Sequence, residues 1–410
     1  MRNMALERRG VAPMERPGEP IAARPAHAGR ARAHICFVAP HAWPVLSGDP
    51  TIAEVGGAEV QQSMLARLLA ASGYRVSMIC LDYGQPDRAL VHGVTVYKSF
   101  RASAGVPVLR YFHPRLTATW RAMRAAGADV YYCRSASMWV SVVAEFCRRH
   151  GKRSVYAGAS NMDFVPGEGG QIRYARDRWL YRRGLARVDR IVAQNEAQRE
   201  SCRAAYGREA TVIASCYQPA SPVPGAPRET VLSQRDAVLS QRNAVLWVST
   251  VREGKRPERF LELAALLPQR RFVMVGGPCG GQEDLYERVR REAARLGNVE
   301  LTGFLPLAQV EAWLDRARVL VNTSDYEGMP NTFLQAWSRG VPTLATVDVE
   351  AAVHHRFDGI DDGARKIDAL FDDAGLWHSA SRQCLEHFRR THSPAHALEQ
   401  YGRLLAELVA

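Results

Sequence analysis

The sequence lacks several features that would each point to a familiar class of protein. No apolar run approaches the roughly 18 residues that a membrane-spanning helix needs. The eight cysteines are scattered without a CxxC or any paired spacing, which favours small core residues in a reducing compartment over a zinc site or a disulfide framework. No GxGxxG follows the first predicted strand, and Gly254-Lys255-Arg256 lacks the other residues of a P-loop. A dinucleotide oxidoreductase and an ATPase are therefore disfavoured.

The N-terminus also lacks the apolar segment of a secretory signal. Residues 1–31 are rich in Arg, Pro, Gly and Ala, and we predict a disordered basic tail there. The formal net charge of the chain is +12. Such a balance favours an acidic partner, which could be nucleic acid, nucleotide phosphates or an anionic membrane surface, and composition alone does not choose among them.

What the sequence does contain is an alternation of short β-branched or aromatic runs with longer helical ones. With 410 residues, of which 47% are hydrophobic, it suits two domains with packed cores. Strand and helix signals alternate from residue 33 to residue 218 and again from 244 onward, which is typical of parallel sheets wrapped by helices. We therefore predict an α/β protein with two doubly wound parallel-sheet domains facing a cleft. Ligands of such sheets bind beyond the carboxyl ends of the strands.

The predicted domain boundaries follow from changes in composition. The first domain spans 32–218, a linker 219–243, the second domain 244–385, and a C-terminal helix 386–410 is expected to pack back on the first domain. The linker begins with a Pro/Ala/Ser stretch and contains a tandem heptad, VLSQRDA followed by VLSQRNA. We interpret the heptads as a small duplication that feeds the next strand, with a coiled-coil contact as the alternative.

The most informative segment is 324–342, which reads SDYEGMPNTFLQAWSRGVP. An apolar run leads into a turn with Glu327, Gly328 and Pro330, and a helix is predicted to start near Asn331. The free amides of a first helical turn and the positive end of the helix dipole form an anion site. A carboxylate beside an anion site is electrostatically unusual unless it faces another part of the same ligand. A sugar next to its phosphate fits that geometry.

Two other loops fit the same ligand. Gly56-Gly57 opens the first long helix, where adjacent glycines allow a backbone to approach a phosphate, although an ordinary tight turn is the alternative. Lys255, with Arg252 and Arg256 beside it, could clamp a diphosphate or could be a solvated basic turn. The paired aspartates at 361–362 and 372–373 lack a third ligand at a suitable spacing, so we predict no metal site.

Two basic aromatic stretches are candidates for contact with a membrane. They are Leu109–Arg115 and Arg173–Arg183. Arginine beside aromatic residues on a helix suits an anionic lipid interface, and the predicted contacts are Arg110, Arg178, Trp179 and Arg182. The alternative, an amphipathic surface helix with its apolar face in the core, stays open.

Taken together, these motifs resemble those of the retaining nucleotide-sugar glycosyltransferases of family 4, which have two Rossmann-like domains in the GT-B arrangement. The resemblance covers about residues 33–345. Gly56–Glu59 is similar to the family's GGAE loop, Lys255 to its diphosphate-binding lysine, and Glu327 and Gln335 to the two ends of its E-x7-E element.

The chain departs from the family pattern in four places. Ser249-Thr250 stands where the family often has Gly-Arg, so that Arg252 is the candidate substitute. Gln335 replaces the second glutamate, and its amide can still hydrogen-bond a ribose hydroxyl. Arg134 stands in place of the family's donor-site histidine. After Ala345 the usual loop, strand and helix look compressed into about 15 residues, which would cost some contacts to the base.

The resemblance implies transfer of a sugar from a nucleoside diphosphate sugar to a hydroxyl of a glycan or lipid-linked acceptor, in surface polysaccharide or glycolipid synthesis. It implies no cofactor besides the donor and no metal. The basic aromatic stretches and the lack of a membrane span favour a cytoplasmic protein, with peripheral attachment at the inner face of the membrane as an option. The implied roles are catalysis for Glu327 and Lys255, acceptor binding for Arg134, and donor binding for Gly56, Gly57, Thr250, Arg252, Gly328, Met329, Pro330, Asn331 and Gln335. The main alternative is a degenerate relative that binds nucleotide or glycan without turnover. No helix-turn-helix, zinc finger or RNA-binding signature supports a nucleic-acid-binding protein.

Overall fold

The computed structural model describes residues 32–48, 56–106, 109–165, 172, 174–219, 242–349 and 353–410. The predicted N-terminal tail, nearly all of the predicted linker and most of the tandem heptad lie outside these residues. Residues 33–410 form one compact unit. Within the described part of the chain, no helix has both the length and the apolar character to cross a membrane.

The first domain is built on an eight-stranded sheet with the order β3-β4-β2-β1-β5-β6-β7-β8 in its described residues. The strands are β1 His34–Val38, β2 Arg75–Cys80, β3 Arg88–Val91, β4 Val94–Lys98, β5 Val130–Arg134, β6 Arg153–Ala157, β7 Arg190–Ala193 and β8 Thr211–Val212. The helices are α1 Trp43–Ser47, α2 Gly57–Ala71, α3 Thr117–Ala126, α4 Trp139–His150, α5 Ala175–Leu185 and α6 Glu196–Tyr206. Every pairing is parallel except that of β3 with β4.

The second domain contains a six-stranded, fully parallel sheet with the order β11-β10-β9-β12-β13-β14. The strands are β9 Ala244–Val248, β10 Arg271–Val275, β11 Val299–Leu301, β12 Ala317–Asn322, β13 Thr343–Ala345 and β14 His354–Arg356. The helices are α7 Pro257–Leu266, α8 Glu283–Leu296, α9 Leu307–Arg316, α10 Asn331–Ser338, α11 Ile360–Asp372, α12 Ala374–His387 and α13 Pro394–Val409. The predicted fold class, two doubly wound parallel-sheet domains, is confirmed.

The central strands are continuous apolar runs because both faces of each sheet are covered by helices. All five residues of β1 are buried, and two separate clusters of core residues lie on the two faces of its sheet. The second sheet is covered in the same way. This double burial is what makes the strand signals easy to recognise in the sequence.

The last helix, α13, returns to the first domain. Tyr401, Leu404, Leu405 and Leu408 belong to the same core cluster as residues of β1 and β2. The Arg153 Nε also donates to the Leu408 carbonyl at 3.2 Å. Because α13 follows α12 directly and α12 packs in the second domain, this return ties the two domains together.

Two short strands were not predicted from the sequence, an exposed edge strand and a polar one. β3 is a four-residue edge strand without a fully buried residue, and β14 reads His-His-Arg. β14 continues the sheet beyond β13, and α11 follows it. The strand and helix expected to be compressed after Ala345 are therefore both present, and only the connection between β13 and β14 is short.

Candidate active site

A cavity of about 830 Å³ lies where the carboxyl ends of the two sheets face each other. It is lined by residues from loops of both domains. Eleven of the predicted site residues line it: Gly56, Gly57, Arg134, Thr250, Arg252, Lys255, Glu327, Gly328, Met329, Pro330 and Asn331. Parallel strands bring their carboxyl ends to one edge, which is why loops distant in sequence meet here.

Lys255 and Glu327 form an ion pair at the centre of the second-domain side. The Lys255 Nζ lies 2.5 Å from the Glu327 Oε1, and the two side chains are 17% and 11% exposed. The same oxygen accepts from the Asn322 Nδ2 at 3.0 Å and from the Ser324 Oγ at 2.7 Å. Three donors therefore converge on one carboxylate oxygen.

These neighbours control the charge of Glu327. Burial by itself would raise the pKa of the carboxyl, but the charge of Lys255 and the hydrogen bonds from Asn322, Lys255 and Ser324 together outweigh it. The pKa of Glu327 is consequently lower than its usual value. At neutral pH the group is a carboxylate beside a cavity.

The loop that carries Lys255 is fastened to the loop that carries Glu327. The Thr323 Oγ1 donates to the Lys255 carbonyl at 2.8 Å, and the Asp325 amide donates to the Gly254 carbonyl at 3.2 Å. Asp325 also forms an ion pair with Arg259 at 3.0 Å. The basic loop is therefore not a freely solvated turn, which was the alternative left open by the sequence.

Helix α10 points its N-terminus at the cavity. Pro330 is its N-cap, and Pro330, Asn331 and Thr332 line the cavity. The first-turn amides of a helix and its dipole favour an anionic ligand. Arg252 is exposed on the same wall, and Thr250 lies between it and the end of β9.

Asn331 and Gln61 connect the two domains across the cleft. The Asn331 Nδ2 donates to the Gly57 carbonyl at 3.2 Å, and the Gln61 Nε2 donates to the Asn331 Oδ1 at 2.9 Å. Gln61 also bonds in both directions with the backbone of Cys216, at the end of the first domain. The side chain of Asn331 is thus engaged in an interdomain contact rather than directed only at the cavity.

Of the predicted donor-binding residues, Gln335 lies away from the cavity. It is buried and is not among the residues that line the cavity. Its amide interacts with the hydroxyl of Tyr217. That hydroxyl donates to Glu311, which forms an ion pair with the buried Arg339 at 3.0 Å.

Several lining residues were not singled out from the sequence. His41 and Tyr83, which follow β1 and β2, lie against each other with 3.4 Å between the His41 Nδ1 and the Tyr83 hydroxyl. Asp163 and Gln194 lie on the first-domain wall. No local motif surrounds them, and only their position after a strand could have suggested them.

The Gly276-Gly277 pair, which does not fit a dinucleotide motif, has a structural role at the cavity. Gly276 follows β10 and has a φ of 151°. A Cβ on it would lie 1.7 Å from the Ser249 carbonyl oxygen. The glycine is required because the end of β10 runs directly beside the end of β9.

The predicted membrane-contact residues lie away from the cavity, on the surface of the first domain. Arg110 and Arg182 are exposed, Trp179 is 59% exposed, and Arg178 donates to the Ile172 carbonyl at 3.0 Å. The guanidinium of Arg176 lies 4.1 Å from the centre of the Tyr111 ring. That contact joins the two basic aromatic stretches into one surface.

The fold and the site together define a class, the GT-B glycosyltransferases. Two family models match successive parts of the chain. Residues 55–217 match the model described as Glycosyltransferase Family 4, and residues 242–375 match the model described as Glycosyl transferases group 1. These matches, with the two-domain fold, support a GT-B glycosyltransferase.

Individual relatives agree with this class. HepE of Anabaena, solved in complex with UDP, has a TM-score of 0.67 at 16% identity, over 92% of this chain and 100% of that one. Sucrose-phosphate synthase of Thermosynechococcus elongatus has a TM-score of 0.71 at 17% identity, over 92% and 99%. At these identities the likeness concerns the fold.

One curated relative matches at the sequence level. The Vi polysaccharide biosynthesis protein VipC/TviE of Salmonella typhi is 33% identical over 97 residues, which is 22% of this chain and 16% of that protein. The match therefore spans less than a fifth of the relative.

Proposed function

We propose that this protein is a retaining, metal-independent glycosyltransferase that moves a sugar from a nucleoside diphosphate sugar to a hydroxyl of a glycan or lipid-linked acceptor. The observation that carries the proposal is the Lys255–Glu327 pair, which lines the cavity beside the N-terminus of α10. A cation and a helix N-terminus suit a diphosphate, and the adjacent carboxylate suits a sugar. The UDP complexes of the Anabaena relative support a nucleotide-sugar donor.

Each group has a defined task in this reaction. The bond between the anomeric carbon and the diphosphate oxygen breaks, and the acceptor oxygen bonds to that carbon on the same face. The acceptor proton passes to the leaving diphosphate. Lys255, Arg252 and the amides at the start of α10 stabilise the negative charge of the diphosphate, and Glu327 holds sugar hydroxyls or offsets positive charge at the anomeric carbon.

Donor binding changes the partners of Lys255. The ammonium group turns from Glu327 toward the diphosphate, while Asn322 and Ser324 continue to hold the Glu327 Oε1. The carboxylate therefore stays ionised and in place when its cationic partner is shared. The Gly328 backbone, which meets the first domain, helps to close the cavity over the sugar.

The test is a turnover assay for release of nucleoside diphosphate from a panel of nucleotide sugars. We expect Glu327→Gln and Lys255→Met to lower turnover by about 10²- to 10³-fold, the usual effect of losing one preorganised group. The exposed Arg290→Gln on α8 is a control and should have no effect. Unchanged turnover in both site variants would refute the assignment. Nucleotide binding by the wild type without any turnover would instead support a non-catalytic relative.

We propose further that the basic aromatic surface of the first domain contacts an anionic membrane, which would bring the site to a lipid-linked acceptor. The exposed side chains of Trp179 and Phe112 insert into the lipid interface. The exposed Arg110 and Arg182 attract the anionic headgroups. On this proposal the protein works at the cytoplasmic face of a membrane.

Co-sedimentation with phosphatidylcholine vesicles, with and without phosphatidylglycerol, tests the membrane proposal. We expect binding only with the anionic lipid, weakening at high salt because exposed charges are screened. Replacing Arg110 and Arg182 by glutamine should abolish binding, whereas the matched change at Arg288 and Arg291 on α8 should not. Equal binding by both double variants would contradict the assigned surface.

A further inference from the structure

Arg134 is a cation on the wall of the cavity. It ends β5 and is half-buried, and within the described residues it forms no ion pair with any carboxylate. Its two recorded hydrogen bonds go to hydroxyls, from Nη2 to the Ser215 Oγ at 3.1 Å and from Nη1 to the Tyr132 hydroxyl at 3.4 Å. Its Nε is buried without a hydrogen-bond partner. The guanidinium therefore keeps hydrogen-bonding capacity, and no carboxylate of the described residues contacts it directly.

Two other buried arginines have charged or more numerous partners, although the Nε of each is also without one. Arg339 pairs with Glu311 at 3.0 Å and with Asp315 at 2.6 Å. Arg242, also buried, donates to three backbone carbonyls. A charge removed from water needs such partners because desolvation is costly. Two neutral hydroxyls do not replace them at Arg134.

Asp163 attracts Arg134 electrostatically but forms no ion pair or hydrogen bond with it among the described residues. Asp163 also lines the cavity, but its Oδ2 accepts from the Ala159 amide at 2.7 Å and from the Tyr156 hydroxyl at 3.2 Å. With Ser160 it forms the capping box of the short helix at 161–164. Asp163 is therefore fixed in its own turn, and the guanidinium of Arg134 keeps capacity for direct contact with an anionic ligand in the cavity.

The support of Arg134 extends to the loop that carries Glu327. Ser215, which holds the guanidinium, accepts from the Gln194 Nε2 at 2.8 Å. Gln194 in turn lies against Gly328, where an added Cβ would be 3.1 Å from the Gln194 Oε1. The side chains of Ser215 and Gln194 thus connect Arg134 to Gly328, the residue next to Glu327. This end of the cavity is where the sugar, rather than the diphosphate, would lie.

We propose that Arg134 binds a carboxylate carried by a saccharide substrate, so that the enzyme acts on an acidic sugar such as a uronic acid. The inference rests on the proposed function and specifies its substrate class. The carboxylate belongs either to the transferred sugar or to the acceptor residue next to it. In both cases a guanidinium held at two nitrogens gives a fixed, charge-assisted hydrogen bond.

Calorimetry with wild type and Arg134→Gln separates the two sources. UDP and GDP are titrated first, and the nucleotide that binds selects the donor pair, UDP-glucose with UDP-glucuronic acid or GDP-mannose with GDP-mannuronic acid. The acceptor arm titrates glucose and glucuronate into protein saturated with the same nucleotide. In one of the two arms, we expect the acidic probe to bind wild type more tightly than the neutral probe does. Arg134→Gln should lower the affinity for that acidic probe by about 30-fold or more.

Two controls keep the outcome interpretable. Arg121→Gln on α3 is exposed and distant from the cavity lining, and it should leave every affinity unchanged. Arg134→Lys keeps the charge and should recover part of the preference. A circular dichroism spectrum and a urea midpoint like those of wild type show that Arg134→Gln is folded. Its nucleotide affinity should then stay within about twofold of wild type, on the scale where tenfold is 1.4 kcal/mol.

Three results would overturn the inference. One is the absence of any preference for an acidic probe in both arms, and another is the same preference in Arg134→Gln as in wild type. The third is a loss of nucleotide affinity in a folded Arg134→Gln protein, which would assign the residue to the diphosphate. If neither UDP nor GDP binds wild type, the proposed function itself fails, and that result is distinct from the other three.

Discussion

The coupling between Lys255 and Glu327 can be predicted from the geometry of their contact. At 2.5 Å and an effective dielectric constant of about 20, the gross attraction of two unit charges is about 7 kcal/mol. Desolvation of both groups cancels much of this attraction. When Lys255 is removed, Glu327 still accepts hydrogen bonds from two other donors, so the loss of stability is smaller. We expect a net coupling of about 2 kcal/mol in the free energy of unfolding.

A double-mutant cycle with Lys255→Met and Glu327→Gln measures this coupling. Urea unfolding followed by tryptophan fluorescence is suitable because Trp247 and Trp337 are buried in the second domain. Each single variant should lose stability, and the double variant should lose about 2 kcal/mol less than the sum of the two losses. The control cycle uses Arg290 and Glu287 on α8, an exposed pair at 2.8 Å, for which we expect a coupling below about 1 kcal/mol.

The pH dependence provides a second readout of the same pair. The pKa of Glu327 is lowered in the folded protein, so its contribution to stability is present above its unfolded pKa and is lost as the pH falls. In Lys255→Met, burial is no longer offset by the lysine, and the pKa should rise. The loss of stability at acid pH that is due to Glu327 should then be smaller than in wild type, because its folded pKa moves toward or above its unfolded value. Additive single losses together with an unchanged acid limb would refute the reasoning.

Three further predictions concern the surroundings of the site. Gly276→Ala places a Cβ 1.7 Å from the Ser249 oxygen, so it should lower the free energy of unfolding by at least about 3 kcal/mol in urea titrations. Gly328→Ala brings a Cβ to 3.0 Å from a backbone oxygen of the first domain, so kcat/KM should fall by about 10- to 100-fold while stability changes little. Burial lowers the pKa of His34 from 6.5 to about 4. Only the unfolded state therefore takes up the proton as the pH falls from 6.5 to 4, and about 3 kcal/mol of stability should be lost.

Each of these three predictions has a control within the chain. Gly281 also has a positive φ, of 79°, but no atom lies within 4 Å of a Cβ added there, so Gly281→Ala should cost less than the change at Gly276. For Gly328→Ala, an unchanged kcat/KM would show that the contact between the domains does not affect catalysis. The variant His34→Gln should show a flatter stability curve between pH 6.5 and 4, and a curve as steep as that of wild type would assign the loss to other groups.

The sequence by itself determined the class of fold and part of the site. Central strands such as β1 are buried on both faces, so their apolar runs are visible without coordinates. The prediction that Lys255 and Glu327 belong to one site followed from the position of their loops after strands of the second domain. Because β9 and β12 are neighbours in a parallel sheet, loops that follow them necessarily meet.

Only the tertiary structure decided how individual side chains are used. Gln335 is spaced as a donor-binding residue, yet its helix turns it toward Tyr217 and away from the cavity lining. Arg134 is singled out in the sequence only by the family resemblance, and the hydrogen bonds of its guanidinium are visible only in the structure. Partners that lie far apart in the chain leave no local pattern, because burial and neutralisation are set by the packing of separate loops. The sequence therefore specifies which elements form the cleft, and three-dimensional packing specifies which charges in it remain for a substrate.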